Sequence, residues 1–447
     1  MERFLRFKYV FIAVFLGTAM VMAALVVNGR RPKVETRQPT EELVRATGKC
    51  AQCHREETGA VVHEYELSRH AKAGINCLDC HGPVAGQKPL DHEGFTIATK
   101  LTAKNCARCH AEQYAQYARS RHAGAAWAAV HGKEGFTDAQ LADAALFHPE
   151  AVNRAPNSLL GLEGDSAVVA GCESCHSVGR PNEDGSFGTC TVCHSRHAAS
   201  VALARLPQTC GQCHMGPDHS QLEIYSESKH GVLFEAQRER IDLTVPPDRL
   251  TTNDMPVPTC ATCHMSGLNG MGTTHDTTER LSWYLFASVS DKRPTFAQGQ
   301  AHMKQVCTQC HAQSSIDTFY QRAEAVVAST NEKVSAVNAI IAGLRRDGLL
   351  TPKPFDEPIE FMAFDYWHYF GRTAKHGAFM GGPDFVQWHG NYELLRLRTE
   401  IDAAAAEVRR RGANGGATPE ESPADVKPTA SEPKPVVPAP ATSGRAP

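Results

Sequence analysis

Cysteine and histidine recur along this chain in one fixed arrangement, Cys-x-x-Cys-His, eight times over. The thiol pairs are Cys50 and Cys53, Cys77 and Cys80, Cys106 and Cys109, Cys172 and Cys175, Cys190 and Cys193, Cys210 and Cys213, Cys260 and Cys263, and Cys307 and Cys310. Together they use all 16 cysteines. The histidines that follow are His54, His81, His110, His176, His194, His214, His264 and His311. Two thiols at this spacing can add to the vinyl groups of a haem, and the next imidazole then reaches the iron from one side. Zinc ribbons and redox dithiols also pair cysteines, yet neither needs a histidine directly after the second. Structural disulfides have no use for it either. The spacing therefore predicts eight covalently bound haem c groups and a function in electron chemistry.

Of the 22 histidines, eight belong to the motifs and fourteen remain. An electron-transfer haem takes a second strong ligand and is closed, whereas a catalytic haem keeps one position open for substrate. Eight haems with one open need seven distal histidines. Three candidates share a small polar residue, a base and then histidine: Ser68-Arg69-His70, Ser120-Arg121-His122 and Ser228-Lys229-His230. His197 follows the fifth motif by three residues, and His92 and His275 stand in Asp91-His92-Glu93-Gly94 and Thr274-His275-Asp276. For the seventh, His376 is preferred to His389.

The elements that must position these groups read as helical. The fold class expected is mostly α: a multihaem cytochrome c fold with a haem-packed core, long C-terminal helices and little β. Hydrophobic residues make up 42% and aromatics 7% of 447 residues, which is lean for the length. Apolar haem plates supply the missing core, so one haem-stapled body is expected. Apolar residues at three- and four-residue steps predict a long amphipathic helix from Asp317 to Leu350, and a second helical stretch runs from Tyr392 to Arg411 and stops at Gly412. An aromatic patch, Phe361 to Trp388, lies between them. The gap from Ala111 to Gly171 has room for two helices and a loop containing Pro149 and Pro156.

Arg3, Arg6 and Lys8 precede an apolar stretch from Tyr9 to Val27, and Arg30, Arg31 and Lys33 follow it. This is an export signal, with Val21-Met22-Ala23 as a cleavage candidate, but its length favours an uncleaved anchor. The haem region is then expected on the periplasmic side of the cytoplasmic membrane. The chain divides into anchor or signal (1–28), linker (29–47), haem region with its catalytic haem (48–316), C-terminal helical region (317–411) and a disordered Pro- and Ala-rich tail (412–447). The formal charge is −3 before cofactors, and eight haems would add about 16 propionate charges. No nucleic-acid partner is expected, because the only short basic run, Arg409-Arg410-Arg411, sits at a helix end where cations suit the dipole.

After the sixth motif comes Met215-Gly216-Pro217-Asp218-His219, leading to Glu223, Tyr225 and Lys229-His230-Gly231. Upstream stand Gly171-Cys172, Asn182-Glu183-Asp184-Gly185 and His194-Ser195-Arg196-His197, and downstream Gly382-Pro383-Asp384-Phe385 and Trp388-His389-Gly390. On these stretches the chain resembles the octahaem hydroxylamine oxidoreductases, over about residues 48–400. The resemblance implies a catalytic haem at the fourth motif, with His176 as its only protein ligand and Asp218 and His219 lining the open face. It also implies a homotrimer. The oxidising members carry a tyrosine that bonds covalently to a neighbouring subunit's haem, and here Phe385 occupies the matching place, with Tyr366, Tyr369 and Tyr392 nearby. A phenyl ring is a poor partner for that bond, so the chain looks like the reductive branch.

The expected activity is reduction of nitrite and/or hydroxylamine to ammonia, with seven bis-histidine haems fed by a redox partner cytochrome or a quinol-oxidising membrane cytochrome. The alternatives are hydroxylamine oxidation to nitric oxide or nitrite on the same scaffold, and a non-catalytic multihaem electron carrier. Pentahaem ammonia-forming nitrite reductases fit less well, because they put lysine in the catalytic motif. Octahaem tetrathionate reductases share the haem count, but the Met-Gly-Pro-Asp-His run fits them less well.

Overall fold

The computed structural model describes residues 16–18, 20 and 41–414, with side chains from residue 48 onward in the main segment. Most of the expected anchor, the linker up to residue 40 and the tail beyond 414 lie outside the described residues. Among the described residues no helix is long and apolar enough to cross a membrane. Helix makes up 60% of the structure and strand 3%, so the architecture is mostly α.

Six short helices fill the gap where two were expected: Ala111–Arg119, Gly124–His131, Asp138–Phe147, Pro149–Val152, Leu160–Glu163 and Asp165–Ala170. Local chemistry sets the breaks. Thr137 and Gln140 form a capping box that starts one helix, and Pro149 starts the next, where its missing N–H costs nothing. Strand is confined to an antiparallel hairpin, β1 (Pro89–His92) and β2 (Phe95–Ala98). Glu93 and Gly94 both take positive φ, the two-residue turn that matches strand twist.

The chain divides into two compact units, 1–114 with 181–204, and 115–180 with 205–447. The first contains the hairpin and short helices. In the second, a long helix, Gln313–Arg346, packs with Glu393–Ala413. Val334, Val337, Ile341 and Leu344 meet Leu394, Leu397, Ile401, Ala405 and Val408 in one aliphatic core. Between these helices the aromatic patch is helical too: Pro358–Asp365, a π-helical turn Tyr366–Gly371, Arg372–Met380, Pro383–Val386 and a second π turn Gln387–Tyr392. The long helix starts and ends four residues earlier than expected, because Asp347 and Gly348 (φ 68°) turn the chain out.

Ile401 is fully buried in the aliphatic core. Ile401→Ala should lower unfolding stability by about 2–5 kcal/mol. A denaturant midpoint unchanged at equal haem content would show that this core carries no folding energy.

Candidate redox centre

The Cys-x-x-Cys-His motifs fold as helical turns, the first of them inside the helix Glu41–Glu57. His110, His194, His214 and His311 donate their N–H groups to the carbonyls of Cys106, Cys190, Cys210 and Cys307 at 2.9 to 3.0 Å. The turn puts both cysteines on one face. Capping boxes start two of these turns, Asn76 with Asp79 and Thr259 with Thr262, and a third box, Thr102 with Asn105, starts the helix Ala103–Ala107 that leads into the third motif. None of the 16 cysteines forms a disulfide.

Five motif histidines face a second histidine in a narrow range of ring-centroid separations: His54 and His92 (6.1 Å), His70 and His110 (6.0 Å), His81 and His197 (6.4 Å), His122 and His214 (5.8 Å), and His230 and His311 (6.0 Å). With metal–nitrogen bonds of about 2 Å, two imidazoles on opposite sides of one iron have centroids about 6 Å apart. The pairs therefore fit the axial ligands of a haem. Ligation also needs neutral rings. Burial pushes His70, His81, His122, His197 and His230 below the usual imidazole range, and takes His214 down to about 3. Among the described residues no three His, Cys, Asp or Glu side chains converge as a zinc cage would.

The three serine–base–histidine stretches share one local structure. Ser68, Ser120 and Ser228 are buried, and their hydroxyl oxygens accept from the N–H of Ala71, His122 and Gly231 at 3.0 to 3.2 Å. Each serine in turn donates its N–H to a tyrosine three residues earlier, Tyr65, Tyr117 or Tyr225. The tyrosine hydroxyls reach distant carbonyls: Tyr65 on Ile75, Tyr117 on His122 and Val178, and Tyr225 on Pro258. The repeat is thus Tyr-x-x-Ser-base-His, and its tyrosines escaped the sequence reading although the spacing was there to see. His92 ends β1, one residue before the hairpin turn. His197 takes φ 58°, a left-handed conformation costly for a residue with a side chain.

His176 differs from these five. Its Nδ1 bonds the Ala126 carbonyl at 2.7 Å, which leaves Nε2 free. The ring opposite is His219, at 6.4 Å and 84°. His219 also lies 6.2 Å from His214, and its Nδ1 bonds Asp218 Oδ2 at 2.5 Å. Burial pushes the Asp218 carboxyl up, but the His219 hydrogen bond and the nearby positive charge of Arg372 bring it below the ordinary value. The Met215–Ser220 loop turns at Gly216 (φ 85°), whose N–H donates to Glu223 at 2.9 Å. Thr373, on the Arg372–Met380 helix, donates to the Pro217 carbonyl at 3.2 Å, and its hydroxyl lies 3.3 Å from that of Ser220.

His275 donates its backbone N–H to Gln116 at 2.8 Å. His376 is buried with its ring 4.6 Å from that of Phe286, whereas His389 is exposed and bonded to Asp384 at 2.8 Å. Phe385 is buried, its ring 5.0 Å from His389, while Tyr366 is interior and Tyr392 lies exposed against Trp388. The sequence reading missed Arg372, His368 and Phe286, which surround Asp218 and His219 and belong to no motif. His219 lies 5.0 Å from Phe286, and Arg372 Nη1 lies 3.9 Å from Asp218 Oδ2.

Residues 72–358 match the family model described as "Seven times multi-haem cytochrome CxxCH". A probable nitrite reductase-hydroxylamine oxidoreductase fusion protein of Kuenenia stuttgartiensis is 28% identical over 248 residues, 48% of this chain and 25% of that protein. The chain thus spans about a quarter of that curated relative's length. Among solved structures, one described as a hypothetical multiheme protein superposes with a TM-score of 0.71 at 21% identity, covering 85% of this chain and all of its own. The reducing HAO-like protein complex of Kuenenia stuttgartiensis gives a TM-score of 0.63 at 22% identity, covering 85% of this chain and 89% of its own. At these identities the structural likeness concerns the fold.

Thr373→Val removes both contacts that tie the Asp218–His219 loop to its helix, each worth about 1 kcal/mol. Backbone amides between 216 and 220 should exchange faster with solvent in the variant. Unchanged exchange would mean that other contacts hold the loop.

Proposed function

The chain belongs to the multihaem Cys-x-x-Cys-His cytochromes, which carry covalently bound haem c, and from that premise we propose an eight-haem oxidoreductase that reduces nitrite and/or hydroxylamine to ammonia. The proposed catalytic position is the fourth motif, Cys172, Cys175 and His176. In this reading His70, His92, His122, His197, His230, His275 and His376 complete the other haems. When bound, the haem held by Cys172, Cys175 and His176 would supply the redox chemistry, and the other haems would supply its electrons.

The observation that carries this reading is the Asp218–His219 pair standing across from His176. The Asp218 carboxylate accepts from His219 Nδ1–H and fixes that tautomer. His219 Nε2 is then the atom that holds or gives up a proton at the open face. A carboxylate held ionised beside an imidazole suits a reaction that takes up several protons. Ala126 does the corresponding work for His176, since its carbonyl holds Nδ1–H and turns Nε2 outward. The reductive direction is supported by Phe385, which has no phenol oxygen and is packed within its own chain. Export through residues 1–28, an anchored position outside the cytoplasmic membrane, a homotrimer and a quinol-oxidising membrane cytochrome or other cytochrome as electron donor complete the proposal.

A second reading has one specific observation in its favour. The 6.4 Å between His176 and His219 equals the span of a closed pair, so His219 would be an eighth distal ligand and the chain an electron carrier. Spin state separates the two. With an open face, the oxidised protein holds one high-spin haem, and His219→Ala leaves the others low-spin. With a closed one, the wild type is low-spin throughout and His219→Ala creates a high-spin centre.

Asp218→Asn and His219→Ala should retain all eight haems by mass and lose most turnover, on the order of 100-fold or more. Full activity in both variants would sink the proposed site. Intact mass under denaturing conditions should give a single chain with eight haems, and a covalent trimer would favour hydroxylamine oxidation instead.

A further inference from the structure

Arg372 stands behind Asp218 with unmet hydrogen-bonding capacity. Its side chain is 11% exposed. The guanidinium carbon lies 5.3 Å from the Phe286 ring centre and 5.0 Å from that of Trp367. Nε donates to the Phe286 carbonyl at 3.0 Å and Nη1 to His368 Nε2 at 2.9 Å. Nη2 makes no hydrogen bond among the described residues. Aromatic rings, a carbonyl and an imidazole thus fix the fork in place while one edge stays unused.

His368 repeats the pattern. Burial and the Arg372 charge push its imidazole down to about 3, so it is neutral. Its Nε2 accepts from Arg372, which places the ring proton on Nδ1. That atom is buried and has no partner among the described residues. His368 Nδ1 is therefore a buried donor without a partner among the described residues, which calls for an explanation, and Arg372 Nη2 on the adjoining side chain is uncommitted.

The charge balance points the same way. Asp218 is the nearest carboxylate, but it is already bonded to His219 at 2.5 Å and stands 3.9 Å from Arg372. Arg154 adds further positive charge around the guanidinium. Burial brings the Arg372 group down to about 10, which still leaves it charged near neutral pH. A cation that is nearly buried and only loosely matched favours an anion beside it.

We propose that Arg372 binds an oxygen of an anionic substrate through Nη2, with His368 as its positioning residue, so that the site selects nitrite over neutral hydroxylamine. The inference rests on the catalytic site proposed above and adds its substrate preference. A planar fork suits a small planar oxyanion with two acceptor atoms. Lysine keeps the charge and loses the fork.

The test uses the haem-loaded full chain. Nitrite is titrated into the oxidised protein and binding is followed in the visible haem spectrum, and steady-state reduction is measured with nitrite and with hydroxylamine. Arg372→Gln should raise the Kd and KM for nitrite about tenfold or more, and the loss for nitrite should exceed the loss for hydroxylamine. Arg372→Lys should recover part of the binding. His368→Ala should weaken nitrite binding less than Arg372→Gln does. An unchanged nitrite Kd, equal losses on the two substrates, or a wild type that binds no nitrite would each overturn the assignment. If Arg372→Gln fails to hold its haems, Arg372→Lys and His368→Ala carry the comparison. A wild type that binds nitrite but reduces neither substrate would defeat the proposed function and leave the Arg372 assignment to the titration.

Discussion

A haem iron closed by two histidines needs neutral imidazoles on opposite sides of a plate, with ring centres about 6 Å apart. Adjacent residues cannot meet that demand. The first ring comes from the motif itself, because one helical turn puts two cysteines on a face and the histidine beside them. The second must come from another part of the chain, so each pair joins distant segments: His54 with His92, His81 with His197, His122 with His214. Much of the local structure answers to this need. β1 ends on His92, buried serines cap the turns that present His70, His122 and His230, and His197 accepts a left-handed backbone. A haem held between each pair would tie the two segments together and would add apolar surface to the core of a chain lean in aromatic residues.

Features made of short-range chemistry were legible in the sequence. The motif spacing, the serine–base–histidine stretches and the three- and four-residue apolar steps of the long helix all act within a few residues. Capping boxes and a proline at a helix start were written just as locally, but six helices hid in a stretch read as two. Each is too short to show a period. The aromatic patch was opaque for another reason. A π turn widens the helical repeat, so Tyr366–Gly371 and Gln387–Tyr392 interrupt the pattern by which a helix is recognised.

The site divides along the same line. Asp218 and His219 are sequence neighbours inside a specific run, and family resemblance was enough to single them out. Arg372, His368 and Phe286 are brought to them by folding, from about 70 to 150 positions away. An arginine on a helix is by default a solvated or ion-paired group, and nothing local marks this one as different. Its meaning lies in the two rings beside the guanidinium, the imidazole it donates to and the donor it leaves unused. The choice of distal ligands shows the same limit. His376 and His389 looked alike in sequence, and burial separates them only in the folded chain.

The long helix of the second unit also positions the candidate site. Arg372 and Thr373 begin the helix between the two π turns, and that helix packs on Gln313–Arg346. Lys375 lies fully buried in it, donating to Ala287 at 2.8 Å and to the Ser290 hydroxyl at 2.8 Å. These bonds hold the 286–290 segment, and with it the Phe286 ring, against Arg372 and His219. Burial takes the Lys375 amine down to about 7, so the tie carries an energetic cost that the surrounding carbonyls offset. On the other side, Thr373 reaches Pro217 and fixes the loop of Asp218. One helix therefore sets the guanidinium, the aromatic wall and the proton-bearing pair together. A shift of that helix would move all three at once, whereas loss of a single haem-facing histidine elsewhere would leave their arrangement intact.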